Sequence, residues 1–204
     1  MALKHALREI EQKFSFDRHL LPLLRTNSGK PPFTHLTPFK QTSFHDAYYD
    51  NIRRDLSKSP SGAVWLRKRE GKWQAKLTKS ADKDFQKVSY QEFSTLPEVE
   101  KLVRKYLPEC PGADRDFGLS PFCQYTTDRT EFTADERFTV ALDTTDFGHD
   151  VGEVEVIAKE GEDEKKVMME IGKFMEEYRW FFKSVGGKPK GKMTAYFEKH
   201  RGGW

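Results

Sequence analysis

The chain has 204 residues, with 35 Lys and Arg against 32 Asp and Glu, for a formal charge of +3. That length suits one domain, and 16 Phe, 7 Tyr and 4 Trp give enough large side chains for a core, which excludes a wholly disordered chain even at 33% charged residues. No apolar run reaches the ~18 residues of a membrane span, the segment from Met1 to Arg8 lacks a signal peptide's apolar stretch, and Cys110 and Cys123 have neither metal-ligand spacing nor the number for a disulfide framework. The expectation is a single domain over 1–204, cytoplasmic and monomeric, with no membrane partner. Charges of both signs are interspersed, so no nucleic-acid partner is expected either.

In chain order, strand-like segments fall at roughly 7–16, 42–50, 63–69 and 73–79, with loop punctuation at Asn27–Pro38 and Asp55–Gly62. Thr95-Leu96-Pro97-Glu98 reads as a capping box that opens a helix through Val99, Leu102, Val103, Tyr106 and Leu107. After a loop at Pro108–Gly118, strands follow at 120–132, 136–144 and 148–159. A second helix, from about Glu164 to Lys183, carries one apolar stripe from Val167 to Phe182 and is stopped by Gly186-Gly187 and Pro189. A last strand is placed at 191–198. The fold class predicted is α+β, mainly β: an antiparallel sheet or closed barrel of about eight strands, with helices outside.

Side chains two apart on a strand share a face. Glu9, Glu11 and Lys13 therefore point one way and Ile10 and Phe14 the other; Arg67 and Arg69 share a face with Trp65; Glu153 and Glu155 oppose Val154 and Val156. A wet, solvated sheet face gives this pattern for any one strand. Like charges at i, i+2 nevertheless recur, and a four-residue hairpin loop at 70–73 sets Arg67 opposite Lys76, which costs stability unless an anion neutralises the pair. The chemistry that answers both the acids and the bases is a polyphosphate with a divalent metal. Arginine grips oxygens bidentately, and paired carboxylates suit hard cations such as Mg2+ or Mn2+. No Gly-rich phosphate loop of the G-x-x-x-x-G-K-[ST] type is present.

Glu9-x-Glu11-x-Lys13 resembles the E-x-E-x-K signature of the CYTH, or triphosphate tunnel metalloenzyme, superfamily. The resemblance continues through Tyr48-Tyr49-Asp50, Trp65-Leu66-Arg67-Lys68-Arg69-Glu70, Trp73-x-x-Lys76, Tyr90-Gln91-Glu92, Arg129, Asp143, Gly152-Glu153-Val154-Glu155, and Lys192 with Tyr196. Within the superfamily the chain looks most like the soluble thiamine triphosphatases, which share the Trp65–Glu70 strand and the run from Asp146 to Glu155.

The resemblance implies an eight-stranded barrel enclosing a polar tunnel. Lys13, Arg67, Arg69, Lys76, Arg129 and Lys192 would grip triphosphate oxygens, and Trp65 would pack against thiamine. Glu9, Glu11, Asp143, Glu153 and Glu155 would hold Mg2+ (or Mn2+). Glu9, Glu11, Lys13, Lys76 and Glu155 would carry the chemistry, with Glu92 and Tyr48 also facing the tunnel. The implied activity is hydrolysis of thiamine triphosphate to thiamine diphosphate and phosphate. The same residues would also serve an inorganic or nucleoside triphosphatase, a class IV-type adenylyl cyclase or a non-catalytic polyphosphate-binding module. The stretch Asn27–Gln41 departs from the family pattern and is expected near the tunnel mouth.

Overall fold

A computed structural model describes residues 7–83, 86–183 and 187–201. Eight antiparallel strands close into a barrel in the order β1-β5-β4-β3-β2-β6-β7-β8. They are β1 (Arg8–Phe14), β2 (Lys40–Asp50), β3 (Val64–Arg69), β4 (Lys72–Ala81), β5 (Lys87–Phe93), β6 (Ser120–Ala134), β7 (Phe138–Thr145) and β8 (Asp150–Ala158). The strand β1 closes the ring, pairing β5 on one side and β8 on the other. Closure leaves no ladder edge open, so a sheet with charge on its inner face is secured by its own hydrogen bonds.

The helices are α1 (Leu21–Arg25), α2 (Leu96–Tyr106), α3 (Glu164–Glu177), α4 (Arg179–Phe182) and α5 (Lys192–Arg201). At the start of α2 the Glu98 carboxylate accepts from the Thr95 N–H at 3.2 Å and its hydroxyl at 2.6 Å. The apolar face of this helix (Val99, Leu102, Val103) covers Leu66, Ala75 and Leu77 on the outside of β3 and β4. On the opposite side, Val167, Ile171 and Phe174 of α3 cover Ile10, Phe14, Val154 and Val156. Each such fully buried side chain contributes roughly 1.5–3 kcal/mol. The core therefore lies mainly between barrel and helices, and the barrel's interior is left to charged and aromatic side chains for the most part.

Four expectations need correction. Residues 191–198 are not a strand: Met193, Tyr196 and Phe197 lie on one side of α5, against Tyr48, Tyr125 and Phe147. The eighth strand is instead β5, read in the sequence only as the motif around Tyr90. The helix expected to run from Glu164 to Lys183 breaks at Tyr178 (φ −100°, ψ 34°), whose hydroxyl donates to Asp135 Oδ2 at 2.7 Å; the chain then turns so that Phe181 and Phe182 pack on Phe14. Gly186, part of its expected stop signal, lies outside the described residues. Finally, the β3–β4 hairpin has a two-residue turn. Glu70 and Gly71 both take positive φ (48° and 74°), as a tight hairpin of this hand requires, so Arg67 faces Gln74 and Lys76 faces Trp65.

Part of the segment expected at the tunnel mouth lies in the outer layer, while its end, Phe39 and Gln41, lines a second pocket together with Arg129. Phe33 inserts among Phe174, Tyr178 and Trp180 in the outer layer, fixed by Asn27, whose side chain bonds the Phe33 backbone N–H and C=O at 2.9 Å each. No helix among the described residues is long and apolar enough to cross a membrane.

Candidate active site

Strand alternation brings the charged side chains into one cavity of about 670 Å³ along the barrel axis. From β1 come Glu9, Glu11 and Lys13, each less than a tenth exposed, and from β8 come Glu153 and Glu155. Register sets Glu11 directly opposite Glu155, and Lys13 opposite Glu153. The first pairing sets like charges face to face, a destabilising arrangement on an ordinary sheet. One carboxylate oxygen from each of Glu9, Glu11 and Glu155 lies within 4.8 Å of the others.

The consequence is visible in the protonation of Glu155 and Glu11. Burial, then repulsion from Glu9 and Glu153, pushes the Glu155 carboxyl up to about 8. Burial also raises Glu11, with Glu153 and Glu9 adding to it against the attraction of Lys13. Three convergent oxygen donors, two of them raised by burial and by their acidic neighbours, are the donor set a hard divalent cation takes, so Glu9, Glu11 and Glu155 fit Mg2+ or Mn2+.

Glu153 and Asp143 are placed differently. Burial alone would raise Glu153, but Lys192, Lys13 and Arg129 hold it far below the usual carboxylate range. Asp143, fully buried on β7, accepts from Arg129 Nε and Nη2 at 2.7 Å each and from Lys192 Nζ; it too is held low against the effect of burial. These two carboxylates are engaged with cations, and Asp143 stands behind Arg129 rather than in the cavity wall.

The bases surround the acid trio. Lys76 of β4 pairs with Glu9, and its Nζ lies 3.0 Å from Glu92 of β5. Lys13 pairs with Glu11 and lies 3.4 Å from Glu153. Arg129 of β6 reaches Glu155 at 3.8 Å. Arg67 and Arg69 of β3 share Asp46 of β2, and the Arg67 Nε donates to Gln74 Oε1 at 3.1 Å. Lys192 enters from α5, an element at one end of the barrel held by Lys199 Nζ on the Phe147 carbonyl and His149 on the Lys190 carbonyl at 2.8 Å. All six bases named by the sequence thus face the cavity, each with a carboxylate partner. Trp65, half-buried, lines the same cavity and donates from Nε1 to Thr78 Oγ1 at 3.2 Å; Tyr48 lies beside it, with Tyr125 Oη 3.5 Å from its own.

Sequence reasoning missed Asp46, Gln74 and Tyr125. Asp46 is a lone acid beside aromatic residues, and its only signal was its strand parity with Tyr48. Asp50, quoted as part of a motif, lies outside the tunnel: it accepts from the backbone N–H groups of Asn51, Leu56 and Ser57 and shapes the loop after β2.

The fold and site together are a closed antiparallel barrel with a charged lumen, its acids clustered on two strands and its bases around them. The CYTH domain model matches residues 7–184, and the chain belongs to the CYTH domain family. The match stops short of α5, so Lys192 reaches the lumen from beyond it. Among solved structures, PH1819 protein from Pyrococcus horikoshii OT3 is similar over 94% of this chain and 99% of its own, at 17% identity and a TM-score of 0.59. A conserved hypothetical protein from Pyrococcus furiosus covers 91% of this chain and 98% of its own, at 16% identity and a TM-score of 0.55. A putative adenylate cyclase from Vibrio parahaemolyticus covers 84% and 88%, at 14% identity and a TM-score of 0.51. At these identities the likeness is one of fold. No curated protein matches the chain.

Proposed function

We propose that the protein is a magnesium-dependent triphosphatase that removes the terminal phosphate of thiamine triphosphate, giving thiamine diphosphate and phosphate. The observation that carries the reading is the convergence of Glu9, Glu11 and Glu155 within 4.8 Å, inside a cavity ringed by Lys13, Lys76, Arg67, Arg69, Arg129 and Lys192. Glu9, Glu11 and Glu155 would hold Mg2+, which when bound would supply Lewis-acid polarisation of the phosphoryl oxygens. The chain's own residues do the rest.

Before substrate enters, the bases are neutralised by internal carboxylates. A triphosphate takes the place of the glutamates at Lys13 and Lys76, which meet its oxygens as point charges, while Arg67, Arg69 and Arg129 keep the buried Asp46 and Asp143 and grip phosphate oxygens with their remaining N–H groups. Fixed cations then stabilise charge on the transferred phosphoryl group and the departing diphosphate without reorganising. Reaction is direct attack of water, and no side chain need form a covalent intermediate.

Trp65 supports thiamine as the organic end. Its indole lines the cavity on the same strand as Arg67 and Arg69, two residues from the nearer arginine. A thiazolium cation over that ring gains about 0.5–2 kcal/mol. Trp65→Ala is accordingly expected to raise KM for thiamine triphosphate by roughly 2–30-fold and to leave KM for inorganic triphosphate unchanged. Equal effects on both substrates would remove thiamine from the proposal. Cyclic AMP and diphosphate as products from ATP would replace hydrolysis with cyclisation.

A further inference from the structure

Asp46 on β2 is fully buried and lies outside the cavity lining, directly behind two of the bases that form it. Register sets it opposite Arg69. Its carboxylate accepts from Arg69 Nε at 2.8 Å and Nη2 at 2.7 Å, and Arg67 Nη1 lies 3.8 Å from Oδ2. Each guanidinium is also fixed from a second direction. Arg69 lies over the Phe44 ring, 3.8 Å from its centroid, and Arg67 is tied to Gln74. Arg69 uses one edge of its fork on Asp46, which leaves its remaining N–H groups for the cavity.

We propose that Asp46 is a positioning residue for phosphoryl transfer. It locks the planes of Arg67 and Arg69 so that their free N–H groups meet the oxygens of the phosphoryl group as it transfers, and it lowers the charge of that wall by one. The inference rests on the triphosphatase reading above. It has two consequences of opposite sign. Loss of the carboxylate makes the wall more positive, which favours a resting polyanion. The same loss frees the guanidinium planes, and stabilisation that depends on fixed orientation is lost. A carboxylate that served only the fold would move binding and turnover in the same direction, through stability.

The test uses inorganic triphosphate on wild type, Asp46→Asn and Asp46→Glu. Binding is measured calorimetrically without Mg2+, and phosphate release with it. Asp46→Asn is expected to bind triphosphate at least as tightly as wild type, up to about tenfold tighter, while kcat falls roughly 10–100-fold. Asp46→Glu keeps the charge and displaces the guanidiniums by a methylene, so kcat falls with Kd little changed. Wild-type kcat in Asp46→Glu, or parallel loss of binding and turnover in Asp46→Asn, overturns the proposal. If Asp46→Asn does not fold, Asp46→Glu decides alone. A wild-type chain that neither binds nor splits triphosphate refutes the triphosphatase reading itself, a result separate from any difference among the variants.

Discussion

The protonation of Glu155 makes metal binding a proton-releasing event whose size follows from the structure. Burial and the neighbouring Glu9 push this carboxyl up to about 8, whereas glutamate in an unfolded chain titrates near 4.3. Between those values the folded, metal-free protein holds a proton that the unfolded chain has released. Its stability therefore falls as pH rises through that window, and the loss is complete above about pH 8. A divalent cation takes only the ionised carboxylate, so binding must expel the proton. With a carboxyl titrating at about 8, roughly nine molecules in ten carry that proton at pH 7. Binding of Mg2+ then releases about one proton, and the apparent association constant rises about tenfold per pH unit until it levels above pH 8. Calorimetric titration of metal-free protein with MgCl2, in two buffers of different ionisation enthalpy, reads the proton count from the difference in heat. About one proton at pH 7 and few at pH 9 are expected. No proton release at pH 7 would refute the reasoning, because Glu155 would then be ionised without a cation or the trio would not receive one.

Three further perturbations separate the roles in the site and its support. Glu11→Gln removes charge at nearly constant shape, so Mg2+-dependent phosphate release is expected to fall by about two orders of magnitude or more, with metal-free triphosphate binding retained. Arg67→Ala instead removes charged hydrogen bonds of about 1.5–3 kcal/mol and should weaken triphosphate binding roughly 10–100-fold. Calorimetry and a phosphate assay distinguish the two patterns, and wild-type behaviour in both variants would dismiss the tunnel assignment. Gly152→Ala tests the outer layer, where an added Cβ would lie 2.3–2.5 Å from Phe14 ring atoms. Phe14 is wedged against Phe181 and Phe182, with ring centroids at 5.9 and 4.9 Å, and has little room to yield. Overpacking of about 1–3 kcal/mol lowers Tm by roughly 2–12 °C in a chain of this size; an unchanged thermal midpoint would mean that the aromatic cluster relaxes freely.

The features legible in the sequence were those with a strict period of two. Glu9, Glu11 and Lys13 alternate with Ile10 and Phe14, Arg67 follows Leu66, and Glu153 and Glu155 alternate with Val154 and Val156, apolar neighbours that the structure buries under helices. Inverted polarity, with charge inside and apolar groups outside, is also what hid β5. Val88 and Tyr90 lie on its inner face with Glu92, and the buried outer position is Ser89, so no hydrophobic alternation announces the strand. The segment 191–198 was misread because polar and apolar residues alternate from Lys192 to Ala195; Met193, Tyr196, Phe197 and His200 fall at i, i+3, i+4 and i+7, the helical spacing that settles it. Asp46 was invisible for a different reason. Its importance comes from cross-strand register with Arg69, which depends on the hairpin turn and on closure of the barrel. The same holds for the division of the acids. Nothing in the spacing of Glu153 and Asp143 says that Arg129 and Lys192 occupy them, while Glu9, Glu11 and Glu155 converge.

The most direct test of the central claim is phosphate release from thiamine triphosphate, inorganic triphosphate, ATP and GTP, each with and without Mg2+. The account predicts release that requires the cation, with the highest kcat/KM for thiamine triphosphate. Absence of release from every triphosphate in the presence of Mg2+ or Mn2+ would contradict it.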